Sequence, residues 1–312
     1  MANTTENTRA FIESEVYSSM ILTNLHDGLL PETFYRNVSD FNKGDVLNIK
    51  TIGTATITEV AENQPIVYAP IDTGQVQLRV TDYVGTGWYI TDILRADGSQ
   101  IDQLSAAHAM EATRAIQENF ETRLFQTAND AQTPGDLNLV NGQAHRFIGS
   151  GTNGAITIED FARMQLAFDK ANVPVGGRIA IVDPSAAYTL NLLVGAQAFN
   201  HNPHFEGLVR TGFARDHRFV AEIYGWSIWT SNRLPQIASE TIDSKTVTGG
   251  VANIFASVVD DNTRPLMVAW RQMPKTEGGR NKDLKRDEFD VTARYAVGVQ
   301  RTDSLGIIIT KV

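Results

Sequence analysis

The amino-acid sequence predicts an α+β fold, and three observations support that prediction. Strand-forming residues dominate residues 46–60, and apolar residues alternate with polar ones over 75–84. One long helical pattern covers residues 101–129, and shorter helix and strand signals follow over 155–240. The last third of the chain is again rich in strand-forming residues. Strands and helices that are largely segregated along a chain are typical of the α+β class.

Length and composition exclude several classes of protein to which this chain could belong. The chain has 312 residues and no cysteine, which excludes disulfides, thiolate metal sites and a cysteine nucleophile. Since a domain typically has about 150 residues, the length predicts two lobes. Apolar runs are only a few residues long, whereas a helix that spans a bilayer needs about 20. The polar start of the chain has no apolar signal core, and we therefore expect a soluble, non-secreted protein without a membrane partner.

The formal charge of −9 is distributed unevenly along the chain. Residues 1–130 carry 18 acidic and 8 basic side chains, whereas residues 131–312 carry 18 acidic and 19 basic ones. An acidic total argues against a dedicated DNA-binding domain, which usually has a basic footprint. It leaves open a contact with DNA on one face. The excess of acidic residues lies entirely in the first two-fifths of the chain.

The first part of the chain predicts an arm followed by a hairpin. Residues 2–10 are polar and aperiodic, as in a flexible segment, and a short helical pattern covers 14–30. A Lys-Gly-Asp turn at 43–45 then precedes two strand patterns, 46–60 and 75–84, which predict the arms of one long hairpin. Because an isolated two-stranded ribbon is marginally stable in water, we expect this hairpin to pack against a neighbour.

The pattern over 101–129 predicts a helix on the order of 40 Å long. Small and large apolar residues recur every three or four positions along one stripe, with charged residues on another. The apolar stripe contains Ala109, Ala112, Ile116, Phe120 and Leu124.

Residues 155–240 combine helix and strand signals. Thr157 and Asp160 match a capping box, residues 178–182 predict a short buried strand, and Pro184 occupies the first turn of a further helix. A later strand pattern is interrupted by Gly225. Its aromatic residues are predicted to belong to the core; they are Tyr224, Trp226 and Trp229.

The last third predicts four strands, with a charged, glycine-containing segment at 275–288 between the second and third. The predicted strands are 251–259, 266–271, 289–299 and 304–312.

No motif in the sequence predicts an active site. The chain has no glycine-rich phosphate loop, no nucleophile elbow and no zinc-protease motif. Three histidines, His201, His204 and His217, are the only candidates for metal ligation, but Pro203 and the lack of a helical frame favour a polar loop. The adjacent acidic pairs at 159–160 and 260–261 are explained by cap and turn roles. We therefore predict no catalytic, cofactor-binding or metal-binding residue and no enzyme activity.

A basic cluster over residues 271–286 is the strongest candidate for a binding surface. Its six basic residues outnumber Glu277 and Asp283, which gives a charge of +4. One interpretation is a solvated loop; the other is a patch that contacts a phosphate backbone or an acidic surface of a neighbouring subunit. The cluster consists of Arg271, Lys275, Arg280, Lys282, Lys285 and Arg286.

The order of these elements resembles the major capsid protein of tailed bacteriophages, which has the Johnson fold. The resemblance covers nearly the whole chain and depends on the order and spacing of short motifs. These motifs are Lys43-Gly44-Asp45-Val46-Leu47-Asn48-Ile49, Trp88-Tyr89-Ile90-Thr91-Asp92, the helix over 101–129, Ile181-Val182-Asp183-Pro184-Ser185, Ile223-Tyr224-Gly225-Trp226, Tyr295-Ala296-Val297-Gly298 and Leu305-Gly306-Ile307-Ile308.

The resemblance implies a division into four parts. They are an N-terminal arm (1–44), an extended hairpin called the E-loop (45–92), a peripheral domain (93–154 and 241–312) with a spine helix at 101–129, and an axial domain (155–240). In that family the E-loop lies over a neighbouring subunit. Some members also cross-link an E-loop lysine to an asparagine of another subunit. Lys50 is the single lysine of this hairpin, and the sequence indicates no environment for it, so it carries no prediction of a cross-link.

The resemblance also implies a structural function. The protein is expected to self-assemble, as hexamers and pentamers, into the icosahedral shell that encloses the double-stranded DNA genome. Its expected partners are a separate scaffolding protein, a portal, non-specifically bound packaged DNA and a decoration protein. The resemblance places it in the capsid of the virion, with assembly in the host bacterial cytoplasm. The alternatives are an encapsulin-like compartment shell and an unrecognised enzyme that uses the three histidines.

Overall fold

A computed structural model describes residues 32–38, 46–53, 70–98, 101–195 and 219–311, with isolated positions at 57, 59, 62 and 63. The predicted helix over 14–30 lies outside the described residues, as do residues 2–10 of the predicted arm.

Strands outnumber helices in the described part of the chain. The strands are β1 (Arg36–Asn37), β2 (Val46–Ile52), β3 (Thr73–Arg79), β4 (Asp82–Thr91), β5 (Leu139–Val140), β6 (Gln143–Ala144), β7 (Arg146–Ile148), β8 (Arg178–Val182), β9 (Phe219–Ile223), β10 (Trp226–Thr230), β11 (Gln236–Ile242), β12 (Lys245–Ser257), β13 (Leu266–Asn281), β14 (Arg286–Val299) and β15 (Leu305–Lys311). The helices are α1 (Asp92–Asp97), α2 (Ile101–Ala131), α3 (Ile158–Lys170) and α4 (Pro184–Gly195). Two short 3-10 turns are Glu32–Phe34 and Thr152–Gly154.

The strands form two main sheets. The four-stranded sheet has the order β1-β13-β14-β4, and the seven-stranded sheet has the order β7-β15-β12-β8-β10-β9, with β11 paired to β12. Parallel pairs (β1 with β13, β8 with β10, β7 with β15) occur beside antiparallel ones. Two ribbons, β2-β3 and β5-β6, lie outside these sheets. The mixed sheets and long helix confirm the predicted α+β class.

Helix α2 joins the two sheets. It begins at Ile101 as predicted and ends two residues beyond the predicted boundary, at Ala131. Its first half packs Ala112 and Ile116 against the four-stranded sheet, and its second half packs Leu124 into the core of the seven-stranded sheet. At about 1.5 Å per residue, its 31 residues extend about 46 Å. One helix therefore connects two hydrophobic cores.

The local signals predicted over 155–185 are confirmed. The Thr157 side chain accepts from the third helical amide of α3 while the Asp160 side chain accepts from the Thr157 amide, which is a reciprocal capping box. Strand β8 is buried along its whole length. Pro184 is the first residue of α4, and the Asp183 carboxylate accepts a hydrogen bond of 2.9 Å from the Ser185 amide.

The strand pattern interrupted by Gly225 is a tight hairpin. Tyr224 and Gly225 both have positive φ angles, 50° and 74°, and connect β9 to β10. Such two-residue turns match the right-handed twist of the flanking strands. Trp226 is fully buried and Trp229 packs edge-on against the Phe34 ring, so both belong to the core as predicted. The prediction is wrong for Tyr224, which is 42% exposed because it occupies the turn.

The charged segment at 275–288 is a β-hairpin and not a loop. Strand β13 continues to Asn281, and β14 begins at Arg286. Two register shifts between Trp270 and Lys275 interrupt the pairing of β13 with β14. Pro274 lies in this irregular stretch, where its missing amide hydrogen is tolerated. Bulges and exposed charged side chains hide the strand pattern in the sequence, although the backbone remains paired.

The predicted hairpin arm over 75–84 divides after β3. Strand β3 pairs with β2 from Val46 opposite Arg79 to Ile52 opposite Thr73. Residues 82–91 form a separate strand, β4, which pairs with β14 along its whole length. No helix in the described residues is long and apolar enough to cross a membrane.

Candidate assembly interface

The β2-β3 hairpin has few contacts with its own subunit. Most of its residues are exposed, and Ile52, near the end of the ladder, is 78% exposed. A hydrogen bond of 2.8 Å from the Gly53 amide to the Asp72 carbonyl extends the ladder by one step. The isolated position Ile57 is 94% exposed. A two-stranded ribbon with exposed apolar side chains is a surface that a partner can bury.

The base of this hairpin is anchored on one face of the four-stranded sheet. Leu78 and Val80 are buried against Met267, Ala269 and Ala296. A Cβ atom at Gly298 would lie 2.6 Å from Leu78 Cδ1, so that position has room only for glycine. The hairpin therefore covers one end of this face.

In the part of the chain that the structure describes, the rest of that face is largely exposed, and we call it the open face. Cross-strand pairing puts alternate residues of three strands on the same side. The opposite side packs on α2 through Val84, Val291 and Ala293. The open face consists of Tyr83, Gly85, Gly87 and Tyr89 of β4, Glu288, Asp290, Thr292 and Arg294 of β14, and Lys275, Glu277 and Gly279 of β13.

Two tyrosine side chains project from the open face, one at either end of a shallow depression that two glycines form; we call this depression the trough. Tyr83 is 65% exposed and Tyr89 is 57% exposed, while Gly85 and Gly87 between them have no side chain. A Cβ at Gly87 would lie 3.0 Å from the Phe289 carbonyl oxygen, so the backbones approach closely there. Tyrosine is enriched at protein interfaces because it combines a large apolar ring with a polar hydroxyl.

The basic cluster predicted at 271–286 lies along β13, the turn that follows it and the start of β14. Lys275 forms an ion pair of 2.7 Å with Glu277, which raises the pKa of the lysine by hydrogen bonding and charge. Arg286 pairs with Glu288 at 2.7 Å and lies 4.3 Å from the centre of the Tyr89 ring. These contacts satisfy two members of the cluster within the subunit.

Arg280 is satisfied by carboxylates from outside the cluster. It forms a fork of 2.5 and 2.6 Å with Asp92 at the start of α1, and a further contact of 3.2 Å with Asp287. Its hydrogen bond lowers the pKa of the Asp92 carboxyl. Arg95 of α1 also pairs with Asp287. These ion pairs therefore hold α1 against the β13-β14 hairpin.

Lys282 and Lys285 are the two cluster members at the turn, and both are exposed. Lys285 has a φ of 50°, and its carbonyl accepts a hydrogen bond of 3.1 Å from the Asp92 amide. Leu284, between them in the turn, is 57% exposed, and Ile93 of the adjacent α1 is 76% exposed. The basic patch of the intact subunit is therefore smaller than the sequence count indicates, and it centres on this turn.

Two arginine clusters, one part-buried and one buried, hold the long helix in place. Arg233, in the loop after β10, bonds to Glu118 at 2.8 Å and Glu121 at 2.9 Å on α2. Arg146 of β7 forms a bidentate pair with Glu240 of β11 at 2.6 and 2.7 Å.

The Arg146 side chain also caps the C-terminal end of α2. Its guanidinium donates to the carbonyls of Asn129 and Gln132 at 3.3 and 3.2 Å. A cation is favourable there because the last carbonyls of a helix carry partial negative charge. Glu240 accepts a further bond of 2.8 Å from the Gly135 amide. Burial alone would raise the pKa of Glu240, but the Arg146 and Gly135 hydrogen bonds lower it overall.

The other residues considered from the sequence have structural roles or lie outside the described part. Asp160 caps α3, and Asp260 accepts from the amides of Asn262 and Thr263 in a turn, as predicted. The histidines at 201, 204 and 217 lie outside the described residues. Among the residues that are described, no group of three or more His, Asp or Glu side chains could hold a metal ion.

Neither the open face nor the two arginine clusters were predicted from the sequence. A signal for the open face was present, because Tyr83, Gly85, Gly87 and Tyr89 alternate with period two. The carboxylate partners of Arg146 and Arg233 are separated from them by about a hundred residues, and no local pattern could identify them.

A family model described as phage capsid protein matches residues 73–310, which is more than half of the chain. The chain belongs to this phage capsid family. The matched span starts at β3 and ends within β15, so it includes α2, the open face and the strands of both main sheets except β1.

Solved phage structures share the fold at low sequence identity. The capsid of cyanophage P-SCSP1u is similar with a TM-score of 0.71 and 15% identity, covering 98% of this chain and 94% of the other. The capsid of Ralstonia phage GP4 gives 0.70 and 8%, covering 97% and 96%. A structure from Mycobacterium phage Che8 gives 0.67 and 16%, covering 95% and 97%. No curated protein sequence matches the chain.

The family match and the fold test the main predictions that were made from the sequence. The Johnson fold and the capsid-protein function are confirmed, and the encapsulin-like alternative is not favoured. A phage capsid protein assembles with copies of itself into a shell and resides in the virion. Membership of a structural family implies a non-enzymatic role.

Proposed function

We propose that this chain is the major shell-forming subunit of a tailed bacteriophage, assembled as hexamers and pentamers into an icosahedral capsid around double-stranded DNA. One observation supports the proposal most strongly. The hairpin exposes apolar side chains such as Ile52, and among the described residues no second layer packs on the open face. A sheet face normally packs against a second layer, and a neighbouring subunit supplies one.

In this proposal the β2-β3 hairpin of one subunit lies on the open face of the next. The base of the hairpin already covers the Ala296 end of that face within its own subunit. The uncovered end offers Tyr83 and Tyr89 as apolar contacts and the Gly85–Gly87 trough as space for an incoming strand. Contacts of this kind are heterologous, and heterologous contacts form a closed ring when the rotation between successive subunits closes.

The domain boundaries inferred from the resemblance fit this scheme as proposals. The free part of the E-loop (45–92) is the β2-β3 hairpin, because β4 belongs to the four-stranded sheet. The peripheral domain (93–154 and 241–312) contains all of α2 and two strands of that sheet, β13 and β14. Arg233, within 155–240, bonds to α2 and so joins the proposed axial domain to the spine helix.

The remaining partners follow from the resemblance. A separate scaffolding protein directs assembly in the host bacterial cytoplasm, a portal occupies one vertex, and decoration proteins bind the finished shell. Packaged DNA is contacted without sequence preference, because an acidic chain of net charge −9 encloses DNA without holding it tightly.

Nuclease treatment of particles from infected cells tests whether the shell encloses double-stranded DNA. Double-stranded DNA should stay protected in particles built mainly of this chain; particles that protect an enzyme cargo and no DNA would contradict the proposal.

Charge reversal in the turn between β13 and β14 should impair particle formation or DNA retention. We propose that Lys282 and Lys285 contact an acidic neighbour or the phosphate backbone, and the expected result is fewer or emptier particles from Lys282→Glu/Lys285→Glu. The matched control is Lys245→Glu/Lys311→Glu, which makes the same charge change at exposed lysines elsewhere. Particle yield and DNA content are measured after gradient sedimentation. Equal particle yield and DNA content for both variants and the wild type would show that Lys282 and Lys285 contact neither a neighbouring subunit nor DNA.

A further inference from the structure

Two Asn-Gly pairs occur in the sequence, Asn141-Gly142 and Asn153-Gly154. An asparagine before a glycine is prone to lose its side-chain amide without an enzyme. The next backbone nitrogen attacks the side-chain carbonyl carbon, and a glycine leaves that approach unhindered because it has no side chain. All four residues have positive φ angles, 48° and 78° in the first pair and 58° and 78° in the second. Sequence and backbone conformation therefore do not distinguish the two pairs, whereas their surroundings do.

The Asn141-Gly142 turn is exposed and unobstructed. Both residues are exposed, and a Cβ atom at Gly142 would meet no other atom within 4 Å. The turn connects β5 to β6, and the ladder between these strands has only two residue pairs. Among the described residues no acceptor binds the Gly142 amide. Since so short a ribbon opens at low cost, the turn can reach the conformation in which the attack takes place.

The Asn153-Gly154 turn is enclosed. Gly154 is buried, and its amide donates a hydrogen bond of 3.0 Å to the Gly151 carbonyl. A Cβ atom at Gly154 would lie 2.7 Å from Val247 Cγ2. The attacking nitrogen of this pair is therefore already bonded, and its backbone has little room to rearrange.

The Asn141 side chain makes a contact that loss of its amide would remove. Its Nδ2 atom donates a hydrogen bond of 2.7 Å to the Lys170 carbonyl oxygen at the end of α3. The last carbonyls of a helix carry partial negative charge, so a donor is favourable there and a carboxylate is not. The same bond holds the side chain in the closed turn, and the reaction therefore proceeds from the opened ribbon.

We infer that the Asn141-Gly142 turn is a site of spontaneous deamidation, with water as the co-reactant, and that the product loosens the β5-β6 ribbon from α3. The Gly142 nitrogen bonds to the side-chain carbonyl carbon of Asn141 and gives up its proton. The bond from that carbon to Nδ2 breaks, and the leaving nitrogen takes up a proton to depart as ammonia. Water then opens the cyclic imide at either carbonyl and leaves aspartate or isoaspartate. No oxidation or reduction occurs, and the inference does not depend on the proposed function.

Peptide mass spectrometry of the full-length protein, incubated for several weeks in mildly alkaline buffer, tests the site. In the native protein Asn141 should be converted about tenfold faster than Asn153 or more, because the short ribbon opens more readily than the enclosed turn. The matched control is the same protein unfolded in guanidinium chloride, where the two rates should agree within about twofold because the surroundings are lost. Equal rates in the native protein, or conversion of Asn141 only after unfolding, would overturn the inference.

The effect of the product on α3 is tested with Asn141→Asp, which introduces the carboxylate directly. Asn153→Asp is the matched control, because Asn153 is also exposed and also has a positive φ angle. Asn141→Asp should melt about 1–3 °C below the control, since it replaces a donor at a helix end with a negative charge. Thermal unfolding followed by circular dichroism measures the difference. Equal melting temperatures for the two variants would overturn the loosening of the ribbon from α3.

Discussion

Removal of residues 54–71 should abolish shell assembly while the subunit stays folded. Among the described residues, the hydrogen bond between Gly53 and Asp72 is the last ladder contact of the hairpin, so an Asn-Gly turn between them can close the shortened ribbon. The buried anchors Leu78 and Val80 remain in place. The deletion starts beyond β2 and stops before β3, because residues 73–75 belong to the ladder and must be kept.

Circular dichroism measures the fold of this variant, and sedimentation with electron microscopy measures its assembly. Ile52→Ser provides a milder version, since burial of one isoleucine is worth about 1.5–3 kcal/mol and is repeated at every subunit contact. Leu166→Ser on α3 is the matched control, because that leucine is also exposed. Global unfolding of the deletion variant would mean that the hairpin belongs to the core of the monomer. Normal shells from it would mean that the hairpin does not drive assembly.

Loss of Glu240 should be the most destabilising single substitution at the end of α2. The Glu240 side chain is 6% exposed and that of Arg146 is fully buried, so Glu240→Ala leaves a buried, unpaired guanidinium. Breaking such a pair costs about 3–5 kcal/mol. Arg146→Met/Glu240→Leu should recover much of the loss, because apolar residues of similar volume need no charged partner. Chemical denaturation measures the free energies of unfolding. A loss of well under 1 kcal/mol for Glu240→Ala would contradict this account.

The same pair predicts an acid-sensitive part of the stability. Since the pKa of Glu240 is lowered in the folded state, its contribution is present above the ordinary value of 4.5 and is lost as the pH falls through the folded value. Glu240→Gln should therefore lose stability at neutral pH and show a smaller further loss in acid than the wild type. Denaturation curves measured from neutral to acidic pH compare the two slopes. Parallel slopes would show that Glu240 does not titrate in this range.

Local sequence signals predicted the local structure correctly. The Thr157–Asp160 capping box, Pro184 at the start of α4 and the Gly225 interruption each depend on a few adjacent residues. The long apolar stripe of α2 depends on short-range periodicity in the same way. The resemblance to the capsid family depended on the order of such elements, and the family match confirms it.

Long-range pairing could not be predicted from the sequence. Strand β4 leaves the hairpin to pair with β14, about two hundred residues away, because its alternate residues Val84 and Trp88 pack toward α2. The basic cluster looked stronger in the sequence than in the folded subunit. Arg280 finds its partner in Asp92, and no local pattern connects those two positions.

Electron microscopy of the purified protein, expressed with its neighbouring genes, tests the central claim most directly. The account predicts closed icosahedral shells, or the hexamers and pentamers that build them, with the β2-β3 hairpin of each subunit resolved on the open face of the next. A protein that stays a dispersed monomer under all assembly conditions would contradict it.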